Sequence, residues 1–236
     1  MIPPKAWPEV AVAAVGRPLG MRLQRWGTRL AQPVSASLHR QAWIAEQLRF
    51  FHAWRANPKH IGAVLPSSPA LAAAITREID AQTGQVIELG SGTGVFTRAL
   101  CANGVAEDAL ALIELDAGFA RQLRHDFPQA HVCCQDAASL RDEPLFYGQG
   151  AGAVVCGLPL LNMPLRQQVG ILRGGFAQLR AGGAFYLFTY GLRCPVPRRV
   201  LDRLGLRARK IESVMLNVPP AHVWKLTRRR TARNAL

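Results

Sequence analysis

The chain has 236 residues, 49% of them apolar and 19% charged, with a mean hydropathy of +0.06. That composition excludes a disordered tail protein and fits a globular domain, and the length allows a sizeable core in one α/β domain or two small ones. A net charge of +14 and a pI of about 10.9 point to a polyanionic partner, either nucleic acid or an acidic membrane surface.

The charge is unevenly spread. Residues 1–60 hold nine basic and two acidic side chains (net +7), residues 61–192 eight and eleven (−3), and residues 193–236 twelve and two (+10). The centre reads as an ordinary, slightly acidic domain, and the last run, Arg228-Arg229-Arg230 with Arg233, as a solvated tail. Five cysteines (Cys101, Cys133, Cys134, Cys156, Cys194) are odd in number and lack CxxC or Cys/His spacing. Neither a disulfide framework nor a metal site is expected, and the thiols default to a reduced, cytoplasmic setting. No apolar run approaches the ~20 residues that span a bilayer. The stretch Val10 to Val15, broken by Gly16-Arg17-Pro18, is too short for a secretory signal.

In chain order, Leu19, Leu23, Trp26 and Leu30 recur at helical spacing with Arg22, Arg25 and Arg29 beside them, the pattern of an interfacial helix. Docking of that stripe onto the protein's own domain fits equally. Arg40 to Arg55 predicts a second helix whose apolar face carries Trp43, Ile44, Leu48, Phe50, Phe51 and Trp54, ended by Asn57-Pro58. It suits either a core or the headgroup level of a membrane. From Val64 onward strands and helices alternate: helix 70–79 after Pro66-Ser67-Ser68-Pro69, strand 85–89, a glycine loop, helix 95–103, strand 109–115, helix 119–127, strands 131–134 and 153–156, helix 166–179, a turn at Ala181-Gly182-Gly183 and strand 184–190. This predicts an α/β fold with a mostly parallel, doubly wound sheet covered on both faces. The expected organisation is a basic amphipathic extension over 1–40, one domain over 41–226 and a basic tail over 227–236.

The most informative segment is Val86-Ile87-Glu88-Leu89-Gly90-Ser91-Gly92-Thr93-Gly94, a strand ending in acid that runs into Gly-x-Gly-x-Gly and a helix. Its spacing is neither that of dinucleotide binders nor that of phosphate loops. It resembles motif I of class I S-adenosylmethionine-dependent methyltransferases. The resemblance implies a Rossmann-like fold, S-adenosyl-L-methionine as cofactor, and ligand contacts from Glu88, Gly90, Ser91, Gly92 and Gly94 under the sugar and amino-acid portions. It further implies that Glu114, in Leu112-Ile113-Glu114-Leu115-Asp116, accepts from the ribose hydroxyls, and that Asp136, in Cys134-Gln135-Asp136-Ala137, meets the adenine amino group. Leu115 and Ala137 adjoin the ligand in this reading, while Asp116 caps the following helix. An acidic sheet edge also suits a cationic sulfonium.

The fourth strand ends Val154-Val155-Cys156-Gly157-Leu158-Pro159-Leu160-Leu161-Asn162-Met163-Pro164. Methylases of the adenine amine carry Asn/Asp-x-Pro-aromatic at this place to hold and stack the flipped base. Gly157 and Leu160 stand at those positions and can do neither. No nucleic-acid partner is therefore expected, although the upstream motifs resemble ribosomal RNA adenine dimethylases as well. Methylation of RNA adenine N6, or of another nucleic-acid site, is the alternative, supported by the Arg-rich tail. Phe50-Phe51-His52-Ala53-Trp54 with Asn57-Pro58, Gly62 to Ser68, Gly157 to Asn162, Phe188-Thr189-Tyr190-Gly191, and Asn217-Val218-Pro219-Pro220-Ala221 with Trp224 resemble bacterial phospholipid N-methyltransferases across roughly residues 43–226. This implies stepwise methylation of the amine of phosphatidylethanolamine towards phosphatidylcholine. The implied partners are the phospholipid substrate and an anionic membrane surface, with the enzyme bound peripherally to the cytoplasmic leaflet. Aromatic faces hold quaternary ammonium groups, so Tyr190 is the first candidate for the headgroup pocket, with Trp224 and Phe51 next. His60 and His222 are candidate proton acceptors beside solvent and the lipid phosphate, and Arg193, Arg198 and Arg199 are candidates to pair with that phosphate.

Overall fold

Seven strands form one sheet in the order β3-β2-β1-β4-β5-β7-β6. In chain order they are β1 (Val86–Leu89), β2 (Leu110–Glu114), β3 (His131–Cys134), β4 (Ala151–Cys156), β5 (Leu179–Thr189), β6 (Leu206–Val214) and β7 (Ala221–Arg228). The computed structural model describes residues 68–140, 145–146, 150–215, 217 and 220–229. The amphipathic helices expected at 19–30 and 40–55, with Phe51 and His60, lie outside these residues.

Strands β1 to β5 pair in parallel, as the alternation predicts. The chain steps outward from β1 through β2 to β3, then returns to β4 on the other side of β1. That reversal opens a crevice beyond the carboxyl ends of β1 and β4, where open α/β sheets bind ligands. Helices α1 (Pro69–Thr76), α2 (Val95–Ala102) and α3 (Ala117–Asp126) cover one face, and α4 (Leu165–Gln178) and α5 (Arg198–Arg203) the other. Both faces being covered, β1, β2 and β4 are buried along their whole length and, apart from the acids Glu88 and Glu114, read as apolar runs.

Several details differ from the sequence expectation. Helix α1 stops at Thr76, whose hydroxyl bonds back to the Ala72 carbonyl, and Asp80 then caps a separate turn over Ala81–Thr83. The expected turn at Ala181-Gly182-Gly183 is instead absorbed into β5, where the pairing with β4 shifts register between Ala151 and Ala153. Strands β6 and β7 were not foreseen, and β7 inserts antiparallel between β5 and β6. β7 therefore takes up residues 227 and 228 of the expected tail. Arg228 donates to the Phe176 carbonyl, while Arg229 bonds the Leu206 carbonyl and pairs with Asp202, so neither is a freely solvated arginine.

Candidate functional site

The loop after β1 is shaped by three glycines and tied down by its neighbours. Gly90 and Gly92 adopt left-handed backbone angles (φ +74° and +54°), which side-chain-bearing residues avoid. Gly90 N–H donates to the Ile113 carbonyl (2.8 Å), and Gly92 N–H to Glu114 Oε2 (2.8 Å). A Cβ at Gly90 would lie 2.5 Å from Leu158 Cδ2, whereas one at Gly92 would meet nothing within 4 Å. Gly90 is thus required by packing, and Gly92 leaves an open cradle at the head of α2.

Three acids step across β1, β2 and β3 at this edge, as expected. Adjacent strands lie about 4.8 Å apart, so the row spans roughly 10 Å. Glu88 is fully buried: Thr97 on α2 donates to its Oε2 (2.7 Å), and its Oε1 has no partner among the described residues. Burial, opposed by the Thr97 hydrogen bond and reinforced by the charge of Glu114, pushes its pKa up to about 8. Glu114 is also buried and accepts from Gly92 N–H and, through Oε1, from Asp116 N–H (3.0 Å). These bonds orient the carboxylate, an acceptor suited to a diol. Asp136 follows β3, is exposed, and accepts from Ala138 N–H (2.9 Å). Ala137 beside it is buried, Leu115 is 63% exposed, and Asp116 caps α3 through Phe119 N–H, as expected.

The buried Glu88 Oε1 and Ser91 hydroxyl, both without a partner among the described residues, and the open space above Gly92 suit a cationic ligand with a hydroxylated sugar. S-adenosyl-L-methionine has those features. Glu88, Ser91 and the glycine loop would hold its amino-acid end, Glu114 with Leu115 its ribose, and Asp136 with Ala137 its base.

Tyr190, just beyond β5, lies against the same face as Glu88. Its ring packs edge-on to Phe188 (centroids 5.5 Å apart), which packs edge-on to Phe96 on α2 (6.0 Å), so an aromatic row links it to the glycine-loop helix. Tyr190 shares a hydrogen bond with the Asn217 side chain, to which Ser68 also donates (2.5 Å). Sequence segments far apart in the chain thus meet at one point. Burial raises the pKa of the Tyr190 hydroxyl, against the pull of Asn217. The structure separates Trp224 from this group: it packs on the α4/α5 face, across the sheet. His222 is buried on that same face, with Nδ1 2.9 Å from Ser213 Oγ, and burial, aided by Lys210, lowers its pKa. It sits on β7, three strands or about 14 Å from β1, which removes it as a proton acceptor beside the glycine loop. Arg193, Arg198 and Arg199 are exposed on the α5 side of the molecule.

At the fourth strand, Gly157 N–H donates to the Leu89 carbonyl, and a Cβ there would lie 2.9 Å from the Gly90 carbonyl oxygen. Leu160 is 1% exposed core. Both positions are occupied by packing, with no polar side chain for a base. Gly157→Ala is expected to cost about 1–3 kcal/mol by overpacking backbone on backbone, measured by chemical denaturation.

Sequence reasoning missed Thr97, the Phe96–Phe188 row and an apolar rim. All five exposed large apolar side chains among the described residues lie beyond the carboxyl ends of β2, β4, β5 and β6: Leu115, Leu161, Leu192 and Met215 on the connections, and Leu165 at the start of α4. β6 runs parallel to β5 because both are antiparallel to β7, so these ends share the edge that carries the glycine loop. Each leucine alone is an ordinary surface residue, and only the topology gathers them.

No family model matches the chain. It is 30% identical over 134 residues to the ornithine lipid N-methyltransferase of Singulisphaera acidiphila, a match covering 55% of this chain and 70% of that enzyme. Its fold is similar to that of the glycopeptide N-methyltransferase MtfA complexed with S-adenosyl-L-methionine (TM-score 0.52, 12% identity, 72% of this chain and 98% of that one). It is also similar to a TehB-like methyltransferase from Corynebacterium glutamicum (TM-score 0.51, 14% identity, 82% and 100%). A glycine loop and acid row at the switch point of such a sheet, joined to that sequence relationship, make the chain a class I S-adenosylmethionine-dependent methyltransferase, a member of the family that includes the S. acidiphila enzyme.

Proposed function

We propose that the enzyme methylates the amine of a membrane phospholipid, converting phosphatidylethanolamine stepwise towards phosphatidylcholine while bound peripherally to an anionic, cytoplasmic leaflet. The observation that carries this reading is the apolar rim. Leu115, Leu161, Leu165, Leu192 and Met215 ring the ligand edge, where a water-soluble substrate needs no such surface and a bilayer substrate does. The family relationship supports a lipid amine, and the packed Gly157 and Leu160 argue against a flipped base. No helix among the described residues is long and apolar enough to cross a membrane.

The ligand supplies a methyl group on a positively charged sulfur, and the protein's part is placement. Glu88 and Glu114 would hold the donor at the carboxyl ends of β1 and β2. The row from Phe96 to Tyr190 forms an aromatic wall on the same face, suited to a headgroup that grows more cationic and more apolar with each methyl. Each transfer releases one proton from the amine; with His222 remote, solvent or the lipid's own phosphate accepts it.

A second reading, methylation of the amine of ornithine lipid, is favoured by the name of the S. acidiphila relative. The test is to incubate the protein with methyl-labelled S-adenosylmethionine and three acceptors: vesicles containing phosphatidylethanolamine, vesicles containing ornithine lipid, and RNA. Label in the phosphatidylethanolamine vesicles is the expected result. Label only in ornithine lipid selects the second reading, and label only in RNA overturns both.

A further inference from the structure

A groove of about 700 Å³ runs between α4 and α5, over the turn at Ala138. Four arginines line it: Arg166 and Arg173 from α4, Arg199 and Arg203 from α5. Spacings of seven and four residues align each pair along one side of its helix. All four residues are exposed, and among the described residues none forms an ion pair with a carboxylate. The one acid on α5, Asp202, is engaged by Arg198 and Arg229. Some basic side chains elsewhere are neutralised: Glu78 takes both Lys225 and Arg209, and Glu212 takes Arg77. Four guanidiniums lining one groove with no carboxylate partner among the described residues suit an anionic ligand.

The lining between the arginines says which kind. Leu165, Val169, Val200 and Leu204 make it apolar, and no aromatic side chain is present to stack on a base. The groove also meets the apolar rim, because Leu165 belongs to both. Helix α4 starts at that edge and carries Arg166 in its first turn, with Arg173 about 10 Å further along. We infer that this groove binds the phosphodiester headgroup of an anionic phospholipid, each guanidinium offering paired donors to phosphate oxygens. The groove lies on the α4/α5 face, next to the base end of the methyl-transfer crevice at Asp136 and Ala137, and sets the enzyme's orientation, rim down, on the leaflet. The inference rests on the lipid-surface reading above, and it commits to lipid rather than RNA on the strength of the apolar lining.

The test compares the wild type with R166Q/R173Q/R203Q and with a charge-matched control, R121Q/R124Q/R180Q. Binding is measured by flotation on phosphatidylcholine vesicles with and without phosphatidylglycerol. At about fivefold per arginine near an anionic leaflet, the groove variant is expected to lose on the order of a hundredfold in affinity for the anionic vesicles. It should lose nothing on neutral vesicles, and the control should fall far less. An unchanged unfolding midpoint and unchanged S-adenosylmethionine binding by calorimetry show that the variant is folded. Equal losses in variant and control, or undiminished anionic binding by the groove variant, overturn the site. So does loss of binding to an RNA duplex with vesicle binding intact. A wild type that floats with anionic vesicles in a groove-dependent way but labels no lipid leaves the groove standing and overturns the proposed function.

Discussion

Glu88→Gln is expected to abolish methyl transfer, to cut S-adenosylmethionine affinity by at least a hundredfold, and yet to make the ligand-free protein more stable at neutral pH. The two effects have one origin. Glu88 is a fully buried acid that, among the described residues, has a single hydrogen-bond donor, Thr97, and an unpartnered second oxygen. Without a cation beside it, burial holds the carboxyl protonated up to about pH 8, against 4.5 for the ordinary group. Across that window the folded state binds more protons than the unfolded chain, so stability falls as pH rises from about 4.5 to about 8 and levels off above. The full penalty is on the order of 5 kcal/mol. Gln keeps the bond to Thr97 without the titration, so the variant's stability should be nearly flat over the same range, and its advantage should grow from pH 5 to pH 8.

Ligand binding reverses the sign. A cationic ligand draws the carboxyl back into its charged form, so binding releases a proton, and affinity should climb with pH until about 8. Calorimetry in buffers of different ionisation enthalpy reads the proton, and denaturation at several pH values reads the stability. Tight, pH-independent binding by the Gln variant would remove Glu88 from the ligand site. The hundredfold loss follows from deleting one partner of a buried charge pair, about 3–5 kcal/mol.

Much of the sheet could be read from the chain because β1, β2 and β4 are buried on both faces and their apolar runs alternate with periodic helices. The glycine loop and the acids Glu88, Glu114 and Asp136 were legible for a related reason: each stands at the end of such a run. Strands β6 and β7 were hidden by their charge. Arg207, Arg209 and Lys210 in β6 resemble a basic tail, and the register shift between Lys210 and Glu212 interrupts its alternation. Their charge is matched by acids distant in sequence: Glu78, between α1 and β1, receives Arg209 and Lys225. Burial works to raise the Glu78 pKa, but Lys225, Tyr186 and Arg209 together bring it below the usual carboxylate value. Dividing the net charge by segment therefore overstates the free positive field of the carboxyl end. The pairing of Thr97 with Glu88, the meeting of Ser68, Tyr190 and Asn217, and the apolar rim depend on which elements the topology makes neighbours, and no local pattern encodes that.

Two glycines in one loop are expected to fail in different ways. Gly92→Ala should fold with a loss of about 1–2 kcal/mol, the cost of a side chain at φ +54°, because its Cβ meets no protein atom within 4 Å. That Cβ instead enters the cradle beside the Gly92 N–H that Glu114 holds, so S-adenosylmethionine binding and methyl transfer should be lost together. Gly90→Ala carries the same backbone cost and also drives its Cβ to 2.5 Å from Leu158 Cδ2, which forces a core side chain to move. Its total penalty is roughly 2–5 kcal/mol, and residual binding should track the folded fraction. Denaturation curves beside calorimetric titrations separate the two. A Gly92→Ala protein that binds the ligand normally would show that the space above Gly92 is not the cradle, whereas a Gly90→Ala protein of wild-type stability would show that Leu158 yields. The contrast tests the site apart from the fold: Gly90 keeps the loop against the fourth strand, and Gly92 leaves room for what the loop holds.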